Sequence, residues 1–104
     1  MKGHIFIDNL EIGIVDFKVI DESMGVIGGD FIATKNYGKF KGKIQKLTEE
    51  KGNANSQDFN FRILLENLEL NPIGGICLLD SEEFSENYLD AAGLSENEMK
   101  KVND

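Results

Sequence analysis

Between Glu11 and Ile20, Val15, Phe17 and Val19 alternate with Asp16 and Lys18, the period-two pattern of a half-buried strand. Ile12 and Ile14 fall on the opposite parity, which places a bend or bulge at Gly13. The polar turn Asp21-Glu22-Ser23 leads into a second apolar arm, Met24 to Ala33, interrupted by Gly28-Gly29. The two arms, Glu11–Ile20 and Met24–Ala33, read as a β-hairpin whose second arm is bent by the glycine pair. A short strand at His4–Ile7 precedes it.

The period then changes. Tyr37, Phe40, Ile44 and Leu47 lie three, four and three residues apart, one stripe of a helix over Lys35–Lys51. Thr34 or Asn36 is the candidate N-cap, and Gly52 fits the C′ position. Gly38 and Gly42 inside the helix each cost about 1 kcal/mol against alanine, which close packing on the sheet would justify. Lys35, Lys39, Lys43 and Lys46 fall on the opposite face. Lysines near the start and Glu49 and Glu50 at the end oppose the helix macrodipole, and nothing in the sequence explains that arrangement.

Beyond a polar loop at Gly52–Gln57, Phe59, Phe61, Ile63 and Leu65 alternate with Asn60, Arg62 and Leu64, a strand with one buried face. A turn at Asn71-Pro72 precedes an apolar run, Ile73 to Leu79, that reads as a buried strand. Asp80 or Ser81 then caps an expected helix to Ala92. Phe84, Tyr88 and Ala91 form its inner stripe, and Glu82, Glu83, Glu86 and Asp90 its outer one. Gly93 takes the C′ position. Ser95 and Glu98 make a capping box, with Leu94 and Met99 as its hydrophobic staple, so a last short helix is expected over Ser95–Val102. The order predicts an α+β domain spanning residues 1–104, with an antiparallel sheet of four to five strands and two or three helices packed mainly on one face.

Composition narrows the class. Hydrophobic residues make up 40% of the chain and tryptophan is absent, so one core built on Phe, Ile and Leu is expected. The segment Met1–Leu10 contains His4, Asp8 and Asn9 and lacks the apolar run of a secretory leader. No stretch approaches the roughly 20 apolar residues of a membrane span. Cys77 is the single cysteine, which leaves no internal disulfide and no multi-cysteine zinc site. A cytoplasmic protein is the expectation.

The charge is segregated. Up to Leu65 there are nine acids and nine bases; from Glu66 onward ten acids face only Lys100 and Lys101, so the whole net charge of −8 lies there. Nucleic acid and anionic membranes are poor partners for such a chain. A cationic protein is a better one, and simple solubility is the competing explanation.

Catalytic signatures are weak. His4, the only histidine, would have to serve any nucleophile–histidine pair, and no nucleophile-elbow pattern surrounds a serine or Cys77. Cys77 sits in Ile76-Cys77-Leu78-Leu79 as a small hydrophobe without a neighbouring cation. The glycine pairs match neither GxGxxG nor a Walker A loop. Asp80, Glu82, Glu83, Glu86 and Asp90 lack the ligand alternation and central glycine of an EF-hand, and a solvated helix face accounts for them. No catalytic residue, metal or cofactor is expected, and the chain reads as a non-enzyme. A small enzyme using these carboxylates is the least favoured reading.

The stretch Met24-Gly25-Val26-Ile27-Gly28-Gly29, then Tyr37 and Phe40, Asp58-Phe59-Asn60-Phe61 and Gly74-Gly75-Ile76, resembles small bacterial immunity proteins encoded beside contact-dependent or other polymorphic toxins. The resemblance implies an acidic inhibitor that covers the active site or substrate surface of a cognate toxin domain, often a basic nuclease. It carries over no functional residues, because that group shares no catalytic motif. The expected contact surface is therefore the acidic set itself: Asp80, Glu82, Glu83, Glu86 and Asp90. The alternative is a homo-oligomeric structural or regulatory protein, such as a homodimer, held by an exposed sheet edge or by basic-to-acidic helix contacts.

Overall fold

The computed structural model describes residues 1–103. Nine strands form one antiparallel sheet: β1 (Lys2–Ile7), β2 (Leu10–Asp16), β3 (Lys18–Asp21), β4 (Val26–Ala33), β5 (Ala54–Asn55), β6 (Phe61–Leu65), β7 (Leu68–Glu69), β8 (Gly75–Ser81) and β9 (Glu86–Ala92). Their spatial order is β5-β8-β9-β4-β2-β1-β6-β7, with β3 also on β4, and the sheet curls into a half-barrel. A 3₁₀ turn (Lys35–Lys39) leads into α1 (Lys41–Lys51), and α2 (Glu96–Asn103) ends the described chain.

The first hairpin forms as its alternation predicts. β2 and β3 are two halves of one bent arm and pair with successive parts of β4, Val15 with Phe31 and Val19 with Ile27. Opposite β1 the register slips between Ile5 and Phe6, beside Gly13. The extra residue there reverses the parity, so Ile12 and Val15 both face the core while Ile14 faces out. Gly29 marks the bend of the second arm: a Cβ there would sit 2.5 Å from the Asp16 carbonyl oxygen.

The sheet is larger and the helices fewer than the sequence suggests. The expected four to five strands are nine, and the expected helix from Asp80 to Ala92 is the β8–β9 hairpin, paired from Gly75↔Ala92 to Ser81↔Glu86. Ile76, Leu78, Leu89 and Ala91 face the core, a period-two set that outweighs the helical spacing of Phe84, Tyr88 and Ala91. Gly93, with φ of +80°, is a turn glycine after β9 and not a helix C′ residue. The segment Lys35–Lys51 is broken at Phe40 into a 3₁₀ turn and a helix, and neither start has a side-chain cap. Thr34 instead donates its hydroxyl to the Glu11 carbonyl at 3.4 Å. Gly38 and Gly42 do not serve close packing, since a Cβ at either would meet nothing. Ile73 stands outside β8 and is 86% exposed.

Other expectations hold. Gly52 closes α1 in the left-handed conformation, its N–H donating to Thr48 O at 2.8 Å. In the capping box of α2, the Ser95 N–H donates to Glu98 Oε1 at 2.9 Å and the Glu98 N–H to Ser95 Oγ at 3.2 Å. The core runs along the concave face of the sheet through Ile5, Val15, Phe17, Ile27, Ile63, Leu78 and Leu89. The helices dock on different strands of a curled sheet and not together on a flat one: α1 packs on β8 and β5, and α2 on β3. Among the described residues no helix is long and apolar enough to cross a membrane.

Candidate binding groove at the acidic hairpin

The five acidic candidates separate once β8 and β9 are strands. Asp80 shares the inward parity of Ile76 and Leu78 and is buried. Tyr37 Oη donates to its Oδ2 at 2.5 Å and Gln45 Nε2 to its Oδ1 at 3.3 Å. Its own N–H donates to Thr48 Oγ1 at 3.2 Å. Asn87, in the amide orientation that satisfies both its ends, adds a donor to Oδ1 at 2.7 Å. Asp80 thus binds the 3₁₀ turn and α1 to the hairpin and is not on a partner-facing surface. Burial, followed by the Asp80 hydrogen bond, pushes the Tyr37 hydroxyl well above the ordinary tyrosine value.

Asp90 lies along β9, away from the hairpin tip. It has the parity opposite to Leu89 and Ala91 and lies beside Cys77 and Gly28 across the ladders. Burial lifts its carboxyl above the ordinary aspartate range. Burial, then the Asp90 charge, lifts the Cys77 thiol, which makes its thiolate scarcer. His4, on β1, pairs with Glu11, Nδ1 to Oε1 at 2.6 Å.

Glu82, Glu83 and Glu86 do come together, at the tip of the hairpin and all exposed. Between them stands Phe84, 73% exposed, which the sequence had assigned to the inner stripe of a helix. The tip turns because the Phe84 N–H donates to Ser81 Oγ at 3.2 Å and Ser85 adopts a φ of +52°. No member of the trio makes an ion pair among the described residues.

The tip overhangs a groove of ≈ 670 Å³ between the C-terminal half of α1 and β8. Leu79 and Phe84 supply apolar surface, and Gln45, Thr48 and Glu49 come from the helix. Four carboxylates line the groove, Glu49, Glu82, Glu83 and Glu86, with no base. Phe84, Glu49, Gln45 and Leu79 stand outside the acidic set that the sequence points to. Two signals for them existed: an aromatic set in an acidic run, and a glutamate on the unfavourable end of a helix. Among the described residues no three or more His, Cys, Asp or Glu side chains are placed to hold a metal ion. The chain matches no protein-family model, no curated protein and no solved structure.

Proposed function

We propose that this chain is a toxin-neutralising immunity protein, a non-enzymatic inhibitor that covers a basic, cognate toxin domain in the bacterial cytoplasm. The supporting observation is the hairpin tip, where an exposed Phe84 shares a groove lining with three carboxylates that make no ion pair among the described residues. An apolar anchor within a like-charged rim is the anatomy of a protein-docking surface: the aromatic supplies affinity, and the charges steer an oppositely charged partner. Within the acidic set we assign the contact to the hairpin tip, because Asp80 is internal and Asp90 lies away from the tip. Co-expression with the C-terminal toxin domain encoded upstream tests the reading. Cells that carry this chain should survive the toxin; equal killing with and without it refutes the proposal.

A second reading is supported by the lysines. Lys35, Lys39, Lys41, Lys43 and Lys46 are exposed along the 3₁₀ turn and α1, and none makes an ion pair among the described residues. They complement the acidic tip, so a homo-oligomer would join one to the other. Light scattering at low and high salt decides this: a salt-insensitive monomer removes the homo-oligomer.

A further inference from the structure

Glu49 opposes the dipole of its own helix, a local arrangement that weakens α1. Conflicts of that kind concentrate where a protein uses a residue for something other than folding. Here Glu49 faces the same groove as Glu82, Glu83 and Glu86. Thr48 and the closing residue Gly52 line it too, so the C-terminal end of α1, the negative pole of its macrodipole, borders the same space. Three sources of negative potential therefore converge: a helix end, a helix glutamate and a hairpin tip. The groove between them is largely apolar, with Leu79 and Phe84 in its lining.

We infer that this groove seats an arginine side chain presented by an extended segment of a basic partner protein. The inference rests on the docking role proposed above and specifies the chemistry that docks. A bare metal ion would gain nothing from Leu79 and Phe84. An arginine carries an apolar stem and a planar cation on one side chain. Its stem lies along Leu79, its guanidinium stacks on Phe84, and its N–H fork reaches the carboxylates and the Gln45 amide. Lysine has the charge but neither the plane nor the fork, so arginine is preferred. Asp80 is the positioning residue: its bonds to Tyr37, Gln45 and Thr48 hold the helix wall against the hairpin wall.

Titrating the ¹⁵N-labelled chain with a blocked Leu-Arg-Leu peptide, followed by NMR, tests this. Shifts should cluster at Gln45, Thr48, Glu49, Leu79 and Phe84. The lysine peptide should bind more weakly and the norleucine peptide should leave the spectrum unchanged. Phe84→Ala should weaken binding about threefold, the value of a solvent-exposed cation–π contact. Glu49→Gln should weaken it about threefold as well, as an exposed charge pair would. Both sites are exposed, so both variants should keep the wild-type spectrum elsewhere. Absent or scattered shifts, or equal binding of all three peptides, overturn the inference. A free chain that is dimeric, and made monomeric by Phe84→Ala, also overturns it by placing a second copy in the groove. The co-expression assay separates this inference from the functional reading. If a purified toxin domain binds Phe84→Ala/Glu49→Gln as tightly as wild type, and wild type protects cells, the groove is wrong and the inhibitor reading stands. If the peptide seats as described but wild type gives no protection, the groove stands and the inhibitor reading fails.

Discussion

The molecule makes the same turn twice. Asp21-Glu22-Ser23-Met24-Gly25 and Ser81-Glu82-Glu83-Phe84-Ser85 each close a hairpin over four residues. In each, the first side chain accepts the N–H of the fourth residue, Asp21 Oδ1 from Met24 and Ser81 Oγ from Phe84, both at 3.2 Å. In each, the fifth residue is left-handed, Gly25 at φ +64° and Ser85 at φ +52°. In each, the fourth is a large exposed hydrophobe, Met24 at 66% and Phe84 at 73%. What differs is the surroundings. The first tip is tied down: Gly93 donates to Met24 O at 3.3 Å and Leu94 to Gly25 O at 3.1 Å. The second tip has no such bonds among the described residues, carries three glutamates and overhangs a groove. The same backbone device is bonded to the rest of the fold in one place and stands exposed in the other.

If that contrast is right, the sharpest break should come at Gly25. A Cβ there would lie 2.5 Å from the Leu94 carbonyl oxygen and 2.7 Å from its nitrogen. Backbone cannot yield as a side-chain end does. Left-handed strain and overpacking then add, and Gly25→Ala should cost about 4 kcal/mol. The midpoint of urea unfolding measures it; a loss no greater than that of an exposed-site control would mean the first tip is as free as the second.

Next in size is the root of the second hairpin. Asp80→Ala leaves the buried Tyr37 hydroxyl without its acceptor and should cost about 3 kcal/mol. The same bond predicts an alkaline limb. Tyr37 titrates above its ordinary value of 10.0 when folded. Its contribution is therefore complete below pH 10 and is lost as pH rises beyond that. Tyr37→Phe should flatten this limb in a stability–pH profile, and an unchanged profile would show that the hydroxyl is not held as described. Root and tip of one hairpin should thus behave oppositely, because a substitution at the tip touches no internal partner.

The two turns also show what a sequence makes visible. Asp21 to Ser23 is legible because three polar residues stand between two alternating arms, although Met24 and Gly25, which the apolar run assigns to the second arm, belong to the turn. Ser81 to Ser85 has a serine at the left-handed position, so the turn carries no mark. A second masking effect is Asp80. Its buried carboxylate interrupts the apolar alternation of Ile76 and Leu78, and an aspartate followed by a serine imitates a helix cap. Phe84, Tyr88 and Ala91 then supply a helical spacing by coincidence, although Phe84 and Tyr88 do not face the core. The capping box of α2 was readable because every bond in it is local. Pairing over long separations, which made nine strands from the expected four or five, has no local signature. The acidic character of the site was legible, but its aromatic anchor and its helix wall were not.

Replacing Ser85 with glycine should make the second turn match the first. Glycine reaches φ > 0 without the Cβ penalty, and part of that gain is offset by its freedom in the unfolded chain. Ser85→Gly should stabilise by about 0.5 kcal/mol, read as a higher melting temperature. A destabilised variant would indicate that the serine is held by something beyond the backbone.

The smallest effect on stability belongs to the charges of the proposed docking surface. Glu82, Glu83 and Glu86 cluster without a cation, so they repel one another in the free chain. The triple change to glutamine should therefore raise stability slightly, by less than about 0.5 kcal/mol, and only at low salt, because a surface field is screened within about 10 Å at 0.1 M. The association rate with a basic partner should fall and lose much of its salt dependence, since steering depends on that field. The same triple change at residues that stabilise the fold would do the reverse, lowering stability and leaving association alone. Thermal unfolding at two salt concentrations, set beside stopped-flow association with the toxin domain, distinguishes the two. A clear loss of stability would place these glutamates with Asp80 in the scaffold and erase the difference between the two turns.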